Sequence, residues 1–405
     1  MSVCPTEYWL WLQCALGAGA KTDELLAYFG DPEKMYNAGS AEWRLSGLLT
    51  DKKINSLKSM SPSETGGIFR ECKAKGYSII TPDNVNYPER FKQLRDMPLV
   101  LFALGDISVL KDTVSIGVVG TRNASNYGIE TAQKLSYALA SCGVTIVSGG
   151  ALGIDSEAHA GAMLAKGRTV AFLGCGLSFD YLKENAPLRR AITKYGAVVS
   201  EFAPFVPASR TTFPIRNRLI SGLTLGTLVI EAGIKSGSLI TANFALEQGK
   251  DVFAVPGDIV RSSFDGANHL IKNGAKPVFS AMDILSEYEY LYADLIDFSK
   301  AEISLSQIPY VEYRKKSKKE VSQDSVVKKE SEKAKMPIKV KEKKELDDSF
   351  SMDAKKVYSV LNENPTHVDD ILRQTALKMS DVLSALTELE LMGEVESVEG
   401  KKYKI

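Results

Sequence analysis

The sequence predicts an α/β protein centred on a doubly wound, Rossmann-like parallel sheet, with a small helical unit before it and a winged helix after it. Three observations carry this reading. From residue 113 to residue 256, short apolar runs such as 113–120 and 143–150 alternate with amphipathic segments. Those runs are apolar throughout rather than alternating, as strands covered on both faces must be. Three of them end in small, glycine-containing turns that lead into a helix, the arrangement of βαβ units.

Taken in order, residues 1–85 read as short helices with turns at Gly17-Ala-Gly19, Gly30-Asp-Pro32 and Ser61-Pro62. Trp9, Leu10, Leu12, Leu16, Leu25, Leu26 and Phe29 recur at helical spacing and form a small core. Residues 86–300 hold the sheet, with strands expected at 113–120, 143–150, 169–173, 197–200, 226–231 and 251–256. Residues 301–345 carry 13 basic and 8 acidic groups with hardly an aromatic, and read as a disordered basic linker. Residues 346–405 read as three helices (351–361, 368–375, 379–392) and a hairpin turning at Glu399-Gly-Lys401, the order of a winged helix.

The 50 basic and 50 acidic residues cancel over the whole chain, but the final segment is acidic, 12 against 7. Five scattered cysteines without a C-x-x-C pair, and only three histidines, argue against a structural zinc site or a disulfide framework. The apolar stretch Tyr8–Leu16 is too short to span a bilayer and has no basic segment before it. A soluble, cytoplasmic protein without membrane attachment, metal or cofactor is expected.

The chemistry is expected at the carboxyl ends of the strands. The turns there are Gly120-Thr-Arg-Asn-Ala-Ser-Asn-Tyr-Gly128, Ser148-Gly-Gly-Ala-Leu-Gly-Ile-Asp155 and Glu231-Ala-Gly-Ile-Lys-Ser-Gly-Ser238. Each is expected to present free backbone N–H groups at a helix start, which suits phosphate; the plainer alternative is that the glycines only make tight turns. Between Lys183 and Arg218 lie seven basic residues and two acidic ones. With Arg122, that concentration favours a polyanion carrying repeated phosphates. A G-x-G-x-x-G fingerprint and a Walker-type loop are both absent. Asp155 and His159 share a helix face without a third metal ligand, so His159 reads as a packing histidine. Ser236 and Ser238 read as capping residues with no histidine to activate them. No catalytic residue is expected.

These motifs, with Phe213-Pro-Ile-Arg-Asn-Arg-Leu-Ile-Ser-Gly222, Ser236-Gly-Ser-Leu-Ile-Thr-Ala242 and Val252-Phe-Ala-Val-Pro-Gly257 followed by Asn268-His-Leu-Ile271, resemble the DprA/Smf family of DNA-processing proteins. The flanking helical unit (SAM-like in that family) and the winged helix agree. The resemblance implies a non-enzymatic homodimer that binds single-stranded DNA, protects it during natural transformation and loads the RecA recombinase onto it. Carried over by position, Arg122 and Lys183 match the family's DNA-contacting basic residues. Thr121, Gly149, Gly150 and the turn Arg216-Asn217-Arg218 would line the same groove, and His269, Leu270 and Ile271 would form the dimer surface. Leu182 stands where the family usually has proline, so the loop carrying Lys183 is expected to sit differently. Tyr127 and Tyr181 are the candidates for stacking on bases, and base readout is expected to be weak.

The rival reading is a nucleotide-binding Rossmann enzyme of the nucleoside-monophosphate phosphoribohydrolase type. Its hallmark P-G-G-x-G-T-x-x-E places the glutamate after the glycines, whereas Glu231 here precedes them. A third reading, a transcription regulator acting through the winged helix, conflicts with a third predicted helix that bears Asp381, Glu388 and Glu390 and no basic residue.

Overall fold

The structure is a computed structural model that describes residues 4–111, 114–312, 350–362, 365–375, 377, 379–391, 394–398 and 402–404. It falls into two compact units, Met1–Ser317 and Lys318–Ile405.

The first unit begins with α1 (Pro5–Leu16), α2 (Asp23–Phe29), α3 (Pro32–Leu45), α4 (Asp51–Lys58) and α5 (Gly66–Lys75). Local chemistry sets these boundaries. Asp31 accepts the Lys34 amide and is followed by Pro32 at the first helical position, while Thr50 accepts the Lys53 amide at the start of α4. Trp11, Leu12, Met35, Ile54 and Leu57 fill the core between the helices, and the Trp11 indole N–H donates to the Met60 carbonyl at 2.9 Å. That core continues into Leu99, Val100 and Phe102, so the helical residues pack directly on the sheet.

The sheet has nine strands: β1 (Ser78–Ile80), β2 (Leu101–Gly105), β3 (Ser115–Val119), β4 (Thr145–Ser148), β5 (Thr169–Phe172), β6 (Gly196–Ser200), β7 (Gly226–Val229), β8 (Asp251–Ala254) and β9 (Lys276–Pro277). Their order is β1-β2-β6-β5-β4-β3-β7-β8-β9, with β1 and β2 antiparallel at one edge and the other seven parallel. Interleaved are α6 (Asn126–Ser141), α7 (Ile154–Leu164), α8 (Ala186–Ile192), α9 (Thr212–Leu223), α10 (Ser238–Glu247) and α11 (Asp265–Lys272); α12 (Ala281–Leu285) and α13 (Glu289–Tyr292) follow β9. Strand alternation sorts the apolar side chains into two layers. Ile116, Val118, Ile146 and Leu228 face α6 and α7, whereas Val119, Val147, Val229 and Ala254 face α9, α10 and α11.

Three parts of this architecture differ from expectation. The sheet starts at Ser78, inside the segment read as helical; β1 and β9 are too short to show a pattern of their own, while β2 carries an apolar run that the expected strands did not include. Arg216-Asn217-Arg218 is not a turn but part of α9, because Pro214 falls in the first turn, where its missing N–H removes no helical hydrogen bond. Residues 301–312 belong to the core rather than to a linker. Ala301 and Ile308 are buried, and the buried Gln133 side chain bonds both the N–H and the C=O of Val311 at 2.8 Å. The rest of the expected linker, 313–345, lies outside the described residues.

The second unit contains α14 (Met352–Val360), β10 (Thr366–His367), α15 (Val368–Thr375), α16 (Met379–Leu391), β11 (Glu396–Val398) and β12 (Lys402–Lys404). Its three strands pair in the order β10-β12-β11, and Val357, Leu361, Ile371, Val382, Leu386 and Leu389 form its core. This is the expected winged helix, with the short strand β10 added.

Candidate nucleic-acid interface

Strands β3, β4, β5 and β6 are laid down in one direction from the middle of the sheet. The chain then returns to place β7 on the other side of β3. The crevice beyond the carboxyl ends of β3 and β7 is therefore the topological switch point, where open α/β sheets bind ligands. A cleft of about 500 Å³ opens there, between the loop that follows β3 and the starts of α7, α9 and α10.

The first loop is braced from beneath. Buried Glu231 accepts the Ser125 amide at 3.0 Å and the Ser125 hydroxyl at 2.8 Å, and its backbone carbonyl takes the Thr121 amide at 2.8 Å. A side chain at Gly128 would collide with the Glu231 carboxylate, which explains the glycine. The amides of Thr121, Asn123, Ser125 and Gly128 thus all donate within the protein. The loop therefore has fewer free N–H groups than expected, and alongside Gly120 and Thr121 it presents the Arg122 side chain to the cleft. Arg122 is exposed and lies over the Phe213 ring, its Cζ 5.0 Å from the ring centroid.

The second loop approaches α9 closely. A Cβ at Gly149 would stand 2.6 Å from Asp155 Oδ2 and 2.7 Å from Arg216 Nη1, so only glycine fits between them. The Gly149 carbonyl accepts from Arg216 Nη1 at 2.6 Å, and the Phe172 carbonyl accepts from the same nitrogen. Arg216 also donates through Nε to Asn217 Oδ1 at 3.1 Å, and Asn217 donates to the Gly237 carbonyl. Arg216 and Asn217 therefore knit the second loop, α9 and the start of α10 into one wall. Asp155 sits at the floor, where burial pushes its carboxyl up and the Arg216 charge opposes that rise. Ser236 and Ser238 join hydroxyl to hydroxyl at 2.8 Å at the start of α10.

The structure brings Thr121, Arg122, Arg216 and Asn217 together on the cleft, with Gly149 directly beneath Arg216 and Gly150 beside it. It does not bring Arg218 there. Two residues along a helix differ by about 200° in direction, so Arg216 and Arg218 face opposite ways. Arg218 is 2% exposed; its Nη2 lies 2.7 and 2.6 Å from the two oxygens of Glu201, and its Nε 3.3 Å from Asp96. Glu201 in turn accepts the Gly19 amide at 3.0 Å, and Gln13 bonds both Val100 and the Glu201 carbonyl. Arg218 is thus an internal clamp between the helical residues and the sheet.

Lys183 projects outside the cleft, 80% exposed, with its Nζ 3.3 Å from Asp180. Its loop does take an unusual course. Leu182 has φ +49°, a value that a proline ring, held near −65°, cannot adopt. Buried Asn185 anchors the loop by donating to the Gly150 carbonyl at 2.9 Å.

Phe213, which lines the cleft, was not singled out by sequence reasoning although it opens one of the sequence motifs; Arg210, also on the cleft, was counted among the seven basic residues between Lys183 and Arg218. Tyr181 packs against the Phe213 ring at 5.4 Å, and Tyr127 is half-exposed with its hydroxyl on the Pro256 carbonyl. His159 is fully buried. The Thr169 hydroxyl donates to Ile146, which leaves His159 Nδ1 to donate to Thr169 at 2.7 Å, and burial together with the Arg216 charge brings its pKa down to about 3. On α11, His269 is exposed and bonded to Asn273, while Leu270 and Ile271 are half-buried against the core. Among the described residues, no cluster of three or more metal-ligating side chains occurs, and no helix is long and apolar enough to cross a membrane.

Comparison with known proteins bears directly on this cleft. The family model described as DNA recombination-mediator protein A matches residues 78–289, and that of the DprA winged helix domain matches residues 341–401. The chain is 32% identical over 359 residues to Protein Smf of Synechocystis sp., covering 88% of this chain and 86% of that one. It is 42% identical over 220 residues to DNA processing protein DprA of Bacillus subtilis, covering 54% and 74% respectively. The X-ray structure of DNA processing protein A from Streptococcus pneumoniae superposes with a TM-score of 0.61 at 32% identity, covering 71% of this chain and 99% of that one.

Proposed function

This chain belongs to the DprA/Smf family, whose core model is DNA recombination-mediator protein A, and from that premise we propose that it binds single-stranded DNA in the switch-point cleft and delivers the strand to the RecA recombinase. The observation that carries the reading is the set of arginines on that cleft. Exposed Arg122 and Arg210 stand at its rim, and buried Arg216 supports its wall. Phosphates are neutralised by Arg122 and Arg210, with Lys183 as an outer contact, and the counterions they displace drive binding. Thr121, Asn217 and the start of α10 supply polar contacts, with Gly149 and Gly150 shaping the wall. Phe213, already stacked under Arg122, offers an apolar face to a base. The reading includes a homodimer formed through the α11 surface and no catalytic step. Glu231, which the rival enzyme reading would need as a reactive group, is engaged in holding Ser125.

The test is a titration of the full chain with single-stranded DNA, duplex and mononucleotides at two salt concentrations. Single strands should bind best, with affinity falling as salt rises. Arg122→Glu should weaken binding far more than Lys318→Glu, and the log–log salt slope should flatten by about 0.7 for each phosphate that is no longer neutralised. Equal binding of duplex, or equal effects of the two substitutions, would count against the cleft.

A further inference from the structure

Outside the cleft, the loop that follows β8 carries an exposed apolar tip. Ile259 and Val260 are consecutive, β-branched, and 86% and 85% exposed. Single apolar side chains scattered over a surface are ordinary, whereas adjacent ones held up by a braced loop mark a contact site. This loop is braced at several points. The Asn268 side chain bonds both the N–H and the C=O of Gly257 at 3.1 Å. The Asp258 carboxylate accepts the Val260 amide at 3.0 Å and pairs with the Arg261 guanidinium at 3.4 Å, while its backbone carbonyl takes the Arg261 amide at 3.2 Å. Buried Phe264 follows and packs edge-on against Tyr127 at 5.8 Å. A tip fixed in this way meets a partner without paying much ordering entropy.

The tip is also tied to the wall of the cleft. The Ala232 carbonyl accepts the amides of Gly266 and Ala267 at 2.8 and 3.1 Å, so the chain after the tip leans on the loop after β7. That second loop places Ser236, Gly237 and Ser238 on the cleft and leaves Ile234, 56% exposed, and Lys235 in solvent. Beside the cleft the two loops therefore present three aliphatic side chains and two exposed cations, Lys235 and Arg261. Lysine is depleted at the cores of protein–protein contacts. An apolar face flanked by phosphates is instead what the end of a DNA duplex offers, and aliphatic side chains that wedge against base faces are a recurrent way of gripping DNA.

We propose that Ile259 and Val260 form a wedge that packs on the terminal base pair where a strand held in the cleft enters a duplex, with Lys235 and Arg261 on the flanking phosphates. The inference rests on the single-stranded DNA reading and adds to it the recognition of a junction. Because the wedge stands on one side of the cleft, a strand threaded in one direction brings its duplex to the wedge through only one of its two ends.

The experiment measures binding of the full chain to an oligo-dT strand, to a blunt duplex, and to that duplex carrying the same oligo-dT as a 5′ or as a 3′ tail. One tailed duplex should bind about fivefold or more tightly than the other, from partial burial of the two side chains. The difference between tails is the signature, since duplex phosphates add affinity to both. Ile259→Ser/Val260→Ser, two changes in solvent, should bring the tailed duplexes within about twofold of each other and leave oligo-dT binding unchanged. Ile259→Leu/Val260→Leu should keep the difference. Equal affinity of the unaltered chain for the two tails would overturn the proposal, as would a difference that survives the serine variant. A serine variant that loses the difference while turning from dimer to monomer in light scattering would assign the pair to a contact between copies, which overturns it too. Failure of the unaltered chain to bind oligo-dT would instead overturn the function on which the inference rests.

Discussion

Arg218→Met is the substitution that best separates structure from function in α9. In the native protein the guanidinium and the Glu201 carboxylate are each 2% exposed and joined by contacts of 2.7 and 2.6 Å. Methionine fills much of the same space but leaves Glu201 buried with the Gly19 amide as its remaining hydrogen-bond donor among the described residues. Removing one partner of a buried ion pair costs about 3–5 kcal/mol, because the surviving charge is left uncompensated. With a urea slope of about 3 kcal/mol per molar, the midpoint should fall by about 1 M or more. Glu201→Gln alone should also destabilise, whereas the double variant Arg218→Met/Glu201→Leu should recover much of the stability, since two apolar groups of similar volume need no compensation. The assay is equilibrium unfolding of all three variants followed by far-UV circular dichroism, with single-stranded DNA affinity measured on the folded fraction. An Arg218→Met protein of native stability whose DNA affinity has collapsed would refute the clamp and return Arg218 to the interface.

Three further outcomes follow from the geometry. His159 has its pKa lowered from 6.5 to about 3 in the folded chain, so stability is complete above pH 6.5 and is lost as pH falls below it; the loss by pH 5 is about 2 kcal/mol, and His159→Gln should flatten unfolding curves between pH 7 and pH 5, with an unchanged acid dependence counting against the assignment. If the α11 surface joins two copies, His269→Glu should convert a dimer to a monomer by light scattering, and His269 is a cleaner probe than Leu270 because Leu270 also packs on the core. A chain ending at residue 345 should keep most of its single-stranded DNA affinity, because the segment it lacks is acidic, 12 groups against 7, and repels phosphate at low salt; loss of most of the affinity would assign binding to the winged helix.

What the sequence made legible, and what it hid, divides along a physical line. The parallel strands and the three turns at their ends were readable because an apolar run and a glycine-bearing turn leave local marks that no distant contact rewrites. The edge strand β1 leaves no such mark: Ser78–Ile80 becomes a strand because it finds β2 as its partner, whereas β2 is marked by the apolar run Leu99–Leu104 before Gly105, and what stays hidden is its antiparallel pairing with β6 nearly a hundred residues on. Charge was the least transparent signal. The seven basic residues between Lys183 and Arg218 suggested one groove-lining cluster, but their fates depend on helix phase and on buried partners. Arg210 and Arg216 line the cleft, Arg218 is enclosed by Glu201 and Asp96, and Lys183 stands out in solvent. Once α9 is recognised as a helix, the separation of Arg216 from Arg218 follows from 3.6 residues per turn. The proline at 214 obscured it, since a proline mid-run reads as a break and only its place in the first turn makes it harmless. His159 was legible as a packing histidine, because Asp155 beside it at helical spacing had no third ligand to complete a metal site, and burial does direct it into the core. A count of cations therefore locates a polyanion surface only to within an element. Which cations face the cleft is decided by the turn of the helix that carries them and by the buried partners it meets.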